Sequence, residues 1–250
     1  MKDSWTKGGM PVPAITTTQS GVPHDVRFTA PLYSQAEAAR YVDMPATTLR
    51  DWAHSTRGHA GRPMVTSLQP TGPRQPTVPF IGLAEAMFLS ALRRAGVPMQ
   101  QIRPALAVVE ERLGVAHALA SRRLFVVGPQ LLWEVSAEGE LGADQRRALI
   151  VLRNGQYVFR EVVDRYLRRI EYAADEYAAR LRPPQYEVAD VLIDPEINFG
   201  VPYFADSGAP LWAVLSRLRA GERISNVAED FDLPEDQVAE VADRAELTAA

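Results

Sequence analysis

The sequence predicts an α+β fold that is mainly helical. Short helical patterns fill the first third, β-branched and aromatic runs fill the middle, and three helical segments close the chain. With 250 residues, of which 46% are hydrophobic, the chain can bury a substantial core. We expect a flexible tail over 1–31, a helical domain over 32–115, a central region over 116–187 and a C-terminal module over 188–250.

Composition narrows the function classes. The chain has no cysteine, so disulfides, thiolate metal sites and a cysteine nucleophile are excluded. The sequence has no apolar run long enough to cross a membrane and no apolar signal core near its lysine-bearing start. These features predict a cytoplasmic protein without membrane contact.

The N-terminal third begins with a segment rich in Gly, Pro, Thr and Ser. We expect little stability from it, and a short strand at Val26 and Phe28 if it adds any structure. Ser34 and Glu37 then have the spacing of a capping box, which predicts a helix to about Val42.

A second short helix is predicted after a tight joint at Asp43 and Met44. Pro45 suits the first turn of a helix, and Leu49 and Trp52, three residues apart, share its inner face. Two short helices with a tight joint are typical of a helix-turn-helix.

The segment after this helix pair predicts a β-hairpin. Two strand-like runs, Met64 to Leu68 and Thr77 to Ile81, flank a tip that contains Arg74. Two more helices follow, separated by Gly96 and Pro98. Together the four helical pieces and the hairpin predict a winged helix-turn-helix.

The middle of the chain predicts strands and one long helix. Its apolar runs are LFVVG, LLWEV and LIVLRNGQYVF, with a turn at Asn154-Gly155. Apolar spacing from Arg160 to Leu181 predicts a long amphipathic helix that ends before Pro183-Pro184. The run YEVADVLID predicts another strand, and the last predicted helices are GAPLWAVLSRLRAG, ISNVAEDFDL and PEDQVAEVADRAEL, a small helix-turn-helix-like module.

Charge is divided unevenly along the chain. The net charge is −4, yet residues 34–103 carry eight arginines against four carboxylates. From Gly221 to the end there are nine carboxylates and two arginines. The two ends should therefore face different partners.

Two segments resemble known families. The run SQAEAARYVDMPATTLRDWAH, the predicted wing and LRRAGVPMQQIRPAL look like the winged helix-turn-helix of MerR-type regulators. The run over 194–245 is similar to a small domain of VapB-type antitoxins. The matching residues are Gly200, Pro202, Gly208, Pro210, Gly221, Ile224, Ala228, Asp230 and Phe231. This resemblance implies a PIN-domain ribonuclease toxin as partner. Ser207-Gly208-Ala209 stands where members usually carry Thr-Arg-Ile, so the role of that Arg does not carry over.

Candidate DNA contacts follow from the helix-turn-helix. The second helix of such a motif enters the major groove, and protein groups next to that helix contact the DNA phosphates. The candidates are Thr47, Thr48, Arg50 and His54 on that helix, beside Asp51, and Arg57, Arg62 and Arg74 around the wing. The alternative is that these arginines form a solvated face and the helices only pack.

Partner contacts beyond DNA stay open. Dimerisation, through the 160–181 helix or the central strands, would double the phosphates neutralised. The alternative is that Tyr166, Ile170 and Tyr177 of this helix only cover the central sheet. The acidic last helix repels phosphates, so it predicts a protein contact or, alternatively, a plain solvated face. The toxin-binding residues are undecided between Arg180 and Arg182 on one side and Lys2 and Lys7 on the other.

No cofactor, metal or enzyme activity is predicted. The carboxylates Glu229, Asp230 and Asp232 lack a His partner for a metal, and the four histidines have no ligand or catalytic spacing. Two other functions remain: a ligand-responsive regulator with Trp133, Tyr157 and Phe159 lining a pocket, and an interaction protein without a DNA role.

Overall fold

The structure is a computed structural model that describes residues 25–54, 63–96, 106, 110, 114–124, 166 and 168–247. This part of the chain is rich in helices and contains two small antiparallel sheets. No helix in it is long and apolar enough to cross a membrane. Several predicted features lie outside it: residues 1–24, Arg57, Arg62, the turn at Asn154-Gly155, and Trp133, Tyr157 and Phe159.

The first described element is a short helix, α1 (Val26–Thr29). The Asp25 side chain accepts a hydrogen bond from the Arg27 backbone, and the Arg27 guanidinium forms ion pairs with Asp25 and Asp175. The Phe28 ring lies 5.2 Å from the Tyr177 ring. The strand expected at Val26 and Phe28 is therefore wrong, because the Asp25 cap and the Asp175 ion pair hold these residues as a helix.

Helix α2 (Gln35–Tyr41) starts with the predicted capping box. The Ser34 hydroxyl accepts from the Glu37 N–H at 3.2 Å, and the Glu37 carboxylate accepts from the Ser34 N–H at 2.9 Å. Asp43 then adopts a left-handed conformation, with φ of 53°. This residue reverses the chain, so that the next helix packs against α2.

Helix α3 (Ala46–Ala53) follows Pro45 directly. Leu49 and Trp52 are buried on its inner face, as their spacing predicts. The carbonyl of Trp52 accepts from the N–H groups of Met64 and Val65 at 2.9 and 3.1 Å. The chain beyond α3 is thereby tied back to the end of that helix.

The predicted wing hairpin is wrong. Leu68 donates one backbone hydrogen bond to Thr77, at 2.7 Å, but Val78 pairs with Tyr33 instead. Ile81 lies inside the next helix. Prolines at 70, 73, 76 and 79 remove the donors that a regular two-stranded ladder needs.

Helix α4 (Phe80–Arg94) is the centre of the first core. Every residue from Phe80 to Leu92 except Ala91 is buried. The Ser90 hydroxyl donates to the Val42 carbonyl at 3.0 Å, and the Tyr166 hydroxyl donates to the Ala84 carbonyl at 2.8 Å. A helix buried on all sides fixes the positions of the elements that surround it.

Within the predicted helix over 160–181, Tyr166 is helical, but the prediction is wrong from residue 168 on. Strands β1 (Ile170–Tyr172) and β2 (Ala178–Leu181) pair antiparallel. Glu176 turns the chain with a φ of 67°, and the Asp175 carboxylate accepts from the Tyr177 N–H. The turn at 173–176 breaks the helical path, while Ile170, Ala178 and Leu181 still reach the α4 core.

At the predicted central strand LFVVG, Leu124 is helical.

The C-terminal part has its own core. Strands β3 (Val191–Leu192) and β4 (Tyr203–Phe204) pair antiparallel. Within the predicted strand YEVADVLID, only the β3 residues form this ladder. The three predicted helices are present, and their bounds are α5 (Leu211–Arg219), α6 (Ile224–Phe231) and α7 (Glu235–Arg244).

A turn at Asn198, Phe199 and Gly200 touches the first core. All three residues have positive φ, of 49°, 55° and 75°. A Cβ atom on Gly200 would lie 2.2 Å from the Tyr33 hydroxyl oxygen. Only glycine fits this contact between the two cores.

Replacing Trp52 with Ala should cost about 3–5 kcal/mol of unfolding free energy, because a large buried ring leaves a cavity. Urea denaturation of the full chain measures this. Trp212→Ala is the matched control, since Trp212 is 62% exposed, and it should stay within about 0.5 kcal/mol of wild type. Equal stability of both variants would mean that Trp52 is not part of the core.

Replacing Gly200 with Ala should cost about 2–4 kcal/mol, through backbone strain and the clash with Tyr33. The Tyr33 hydroxyl is buried without a hydrogen-bond partner, so Tyr33→Phe alone should be neutral or stabilising. The double variant should recover part of the Gly200→Ala loss. Strictly additive effects in a double-mutant cycle would contradict the contact.

Candidate nucleic-acid interface

The outer face of α3 is exposed and polar. Thr47, Arg50, Asp51 and His54 are exposed, and Thr48 is half-buried. The inner face packs into the α4 core through Leu49, which is fully buried. The orientation of the outer face is thus set by burial, and four predicted DNA contacts lie on one short helix.

The start of α3 has free hydrogen-bonding capacity. Pro45 is its N-cap and supplies no side-chain acceptor. The Thr48 N–H donates to the Pro45 carbonyl at 3.0 Å, which leaves the N–H groups of Ala46 and Thr47 without a partner among the described residues, at the positive end of the helix dipole. Thr47 and Thr48 add hydroxyl donors beside them, a set that suits a phosphate oxygen.

His54 closes the helix and has one ring nitrogen already engaged. Its Nδ1 lies 2.9 Å from the Arg50 carbonyl oxygen, which can only accept. The neutral ring therefore carries its proton on Nδ1 and presents Nε2 as an acceptor. His54 is suited to reading an N–H group on a base edge and, in its neutral form, is unsuited to binding a phosphate oxygen.

The predicted wing residues are only partly described. Arg74 is exposed, with a left-handed φ of 61°, in the proline-rich loop that precedes α4. Arg57 and Arg62 lie outside the described residues. Among the predicted arginines, the structure therefore places Arg50 and Arg74 at the surface.

Most of the carboxylates counted over 34–103 are engaged within the protein. Glu85 is only 4% exposed, and the Glu37 carboxylate is used by the capping box. Asp43 forms an ion pair with Arg94 at 3.1 Å, which engages one arginine as well. Asp51 and Arg50 remain exposed on α3.

A buried polar cluster supports the segment that follows α3, and sequence reasoning missed it. The Glu85 carboxylate accepts from the Thr66 N–H at 2.6 Å and lies 2.9 Å from His117 Nδ1. Thr66 Oγ1 also lies 2.9 Å from the same nitrogen. Because one ring nitrogen faces both neighbours, the cluster cannot relay a proton through the imidazole as a catalytic triad does.

The two arginines considered for toxin contact form ion pairs within the chain. Arg180 bonds to Asp194 at 2.7 Å, and Arg182 bonds to Asp190 at 3.0 Å. Both also pair with Glu171, at 3.2 and 2.8 Å. They join the β1–β2 hairpin to the start of the C-terminal part, which makes them structural residues.

The acidic C-terminal helices also use some carboxylates internally. Glu240 accepts from the consecutive N–H groups of Glu187, Val188 and Ala189. Burial raises the pKa of Glu240, but these three bonds outweigh it and lower the pKa overall. Arg217 pairs with Glu222 and Asp230. Among the described residues, no group of three metal-ligating side chains is placed to hold an ion.

Helices α2 and α3, with an exposed polar face on the second helix, define a helix-turn-helix protein. Residues 31–106 match the family described as "Putative DNA-binding HTH domain", and residues 191–243 match "Protein of unknown function (DUF433)". The likeness to MerR-type regulators in particular remains a prediction.

Relatives extend the likeness to most of the chain. This chain is 43% identical over 230 residues to "Putative antitoxin VapB45" of Mycobacterium tuberculosis. The matched region covers 88% of this chain and 95% of that protein. The chain belongs to the family of this VapB-type protein. The crystal structure of Rv2018 from Mycobacterium tuberculosis, at 40% identity, matches with a TM-score of 0.75 over 87% of this chain and 99% of that one.

The His117–Glu85 contact predicts a pH dependence of stability. Burial lowers the pKa of His117, but the hydrogen bond and charge of Glu85 outweigh it, so the pKa is raised overall. The contribution of this contact to the unfolding free energy is therefore complete below the unfolded-state pKa of His, about 6.5. It is lost as the pH rises through the pKa of His117 in the folded protein.

Unfolding free energy measured from about pH 5 to about pH 8 checks this, with His117→Asn as the matched variant. Asn tolerates the left-handed backbone at this position and does not titrate. The wild-type advantage over the variant should shrink with rising pH. An advantage that grows with pH would contradict the raised pKa.

Proposed function

We propose that this protein is the antitoxin of a toxin–antitoxin pair and that it binds DNA through α3. The observation that carries the DNA role is the outer face of α3, where Thr47, Arg50 and His54 are exposed on a helix anchored by Leu49 and Trp52. The family relation supports the antitoxin role. In this proposal the domain over 32–115 binds the operator of its own operon.

The chemistry of the α3 face fits a DNA groove. A single helix fits the width of the major groove, and an Arg can bind guanine through two hydrogen bonds. Arg50 is the proposed base reader, and Thr47 and Thr48 with the free helix N-terminus are the proposed phosphate contacts. Arg74 adds a backbone or minor-groove contact from the loop before α4, with Arg57 and Arg62 proposed for the same role.

Affinity for DNA is proposed to come from a homodimer. One α3 face offers few positive charges, and Asp51 beside Arg50 weakens it further. A two-fold pair of chains would place two α3 helices about one helical turn apart on a palindromic operator. The phosphate contacts would then double, and the salt dependence would steepen.

The antitoxin role requires no catalysis by this chain. Its partner is proposed to be a PIN-domain ribonuclease, which a bound protein inhibits by blocking its acidic active site or displacing the metal there. Binding of the toxin and of the operator by one protein would let the complex repress its own synthesis. Toxin binding and operator binding are separate claims, and each is tested separately.

The double variant Arg50→Ala with Arg74→Ala tests the DNA role. In a mobility-shift titration with the DNA upstream of its own gene, it should bind more weakly. The slope of log K against log salt should fall by about one unit for each phosphate that the variant no longer neutralises.

Arg219→Ala is the matched control, because Arg219 is an exposed arginine at the end of α5, outside the helix-turn-helix. It should leave affinity and slope unchanged. Wild-type affinity and slope in the double variant would overturn the DNA role of α3.

A further inference from the structure

Three large apolar side chains are exposed at one end of the C-terminal sheet. Phe199 is 86% exposed, Trp212 is 62% exposed and Ile197 is 37% exposed. We refer to these three residues, two of which are aromatic, as the aromatic face. Exposed aromatic side chains of this size are typical of sites where a partner protein binds.

The backbone brings the aromatic face together. After β4 the chain turns back, with Tyr203 opposite Pro210 and the Leu211 N–H donating to the Pro202 carbonyl at 2.8 Å. This pairing sets the segment that precedes β4 beside the start of α5. The turn with Phe199 and the first turn of α5 with Trp212 therefore lie at the same end of the β3–β4 pair.

The turn that carries Phe199 has a backbone conformation that is unfavourable for its residues. Asn198 and Phe199 are left-handed, a conformation that a bulky side chain rarely adopts. Gly200 is fixed against the Tyr33 hydroxyl, and its N–H donates to the Ile197 carbonyl at 3.0 Å. The fold thus maintains a strained backbone that exposes an aromatic ring to water. Neither the strain nor the exposure stabilises the folded chain, which points to a binding role.

An aromatic side chain on an ordered backbone is well suited to bind a protein pocket. The backbone is already held in one conformation, so only the side-chain rotamers have to be ordered on association. Buried aromatic residues dominate the binding energy of many interfaces. The backbone of Phe199 is held in the turn, and that of Trp212 in α5, before any partner binds.

Charge identifies the kind of partner. Residues 187–247 contain fourteen carboxylates and four arginines. Three of these carboxylates, Glu187, Asp190 and Asp194, pair with arginines outside this range, which leaves a formal net charge of −7. Glu196, three residues before Phe199, is exposed. Such a surface repels DNA phosphates and a second copy of itself, whereas it attracts a surface with Lys and Arg around an apolar pocket.

We propose that the aromatic face binds the toxin, through an apolar pocket on the toxin that is surrounded by basic side chains. This inference rests on the proposed antitoxin function and adds the surface that carries it out. It assigns Phe199 and Trp212 as the anchoring residues. DNA binding by α3 is independent of this contact.

Phe199→Ser and Trp212→Ser test the proposal in the full-length chain. The probe is the purified product of the reading frame adjacent to the gene, titrated by calorimetry. Each substitution should weaken the complex by about 30-fold or more, as expected for anchoring residues. Phe199→Gly should weaken it similarly while keeping or raising the melting temperature, because glycine relieves the left-handed strain.

Val188→Ser is the matched control, since Val188 is 52% exposed in the same unit. It lies at the other end of the β3–β4 pair, where the Ala205 N–H donates to the Asp190 carbonyl. This control should bind the toxin like wild type. All variants should shift operator DNA like wild type, which shows that the helix-turn-helix is intact.

A complex that tolerates the Phe199 and Trp212 substitutions would overturn this inference and leave the antitoxin proposal standing. No complex with the wild-type chain would overturn both. Loss of self-association in the variants, measured by light scattering, with toxin affinity retained would show that the face joins copies of this chain and would also overturn the inference.

Discussion

The burial of helix α4 is the constraint on which the rest of the structure depends. This helix is apolar on nearly every side, so it has to be covered by elements from distant parts of the chain. Helices α1 and α2, strand β2 and the 3₁₀ helix Ala118–Ala120 all pack around it. Helix α3 enters the same core through Leu49 and Trp52. Its outer face is therefore held toward solvent by the same packing that stabilises the domain.

Local patterns in the sequence predicted the elements that are stabilised locally. The capping box of α2, the inner face of α3 and the three C-terminal helices depend on residues within a few positions of each other, and each is found where expected. The predicted wing and the part of the predicted 160–181 helix from residue 168 on were wrong because long-range contacts decide those segments. Val78 pairs with Tyr33 rather than with a hairpin partner, and a turn at Asp175 and Glu176 converts an apparently helical pattern into two strands.

In the candidate site, too, local sequence patterns predicted the local features but not the long-range contacts. Exposure of Arg50, Thr47 and His54 followed from helical spacing, whereas the cluster of Thr66, Glu85 and His117 joins residues far apart in sequence and left no local signal. The engagement of His54 Nδ1 by the Arg50 carbonyl and the positive φ values at Asn198 and Phe199 are likewise visible only in three dimensions. The excess of carboxylates toward the end of the chain was visible in the sequence, but the internal use of Glu240 was not.

The central claim is a division of labour between a positive helix-turn-helix and an acidic unit that presents an aromatic face. Hydrogen exchange of the full chain, followed by mass spectrometry, tests it most directly in two titrations, one with DNA from upstream of the gene and one with the adjacent gene product. We predict that DNA protects residues 46–54 and leaves 197–212 unchanged, and that the adjacent gene product protects 197–212 and leaves 46–54 unchanged. Protection of the same segment by both ligands, or of the acidic unit by DNA, would contradict the account.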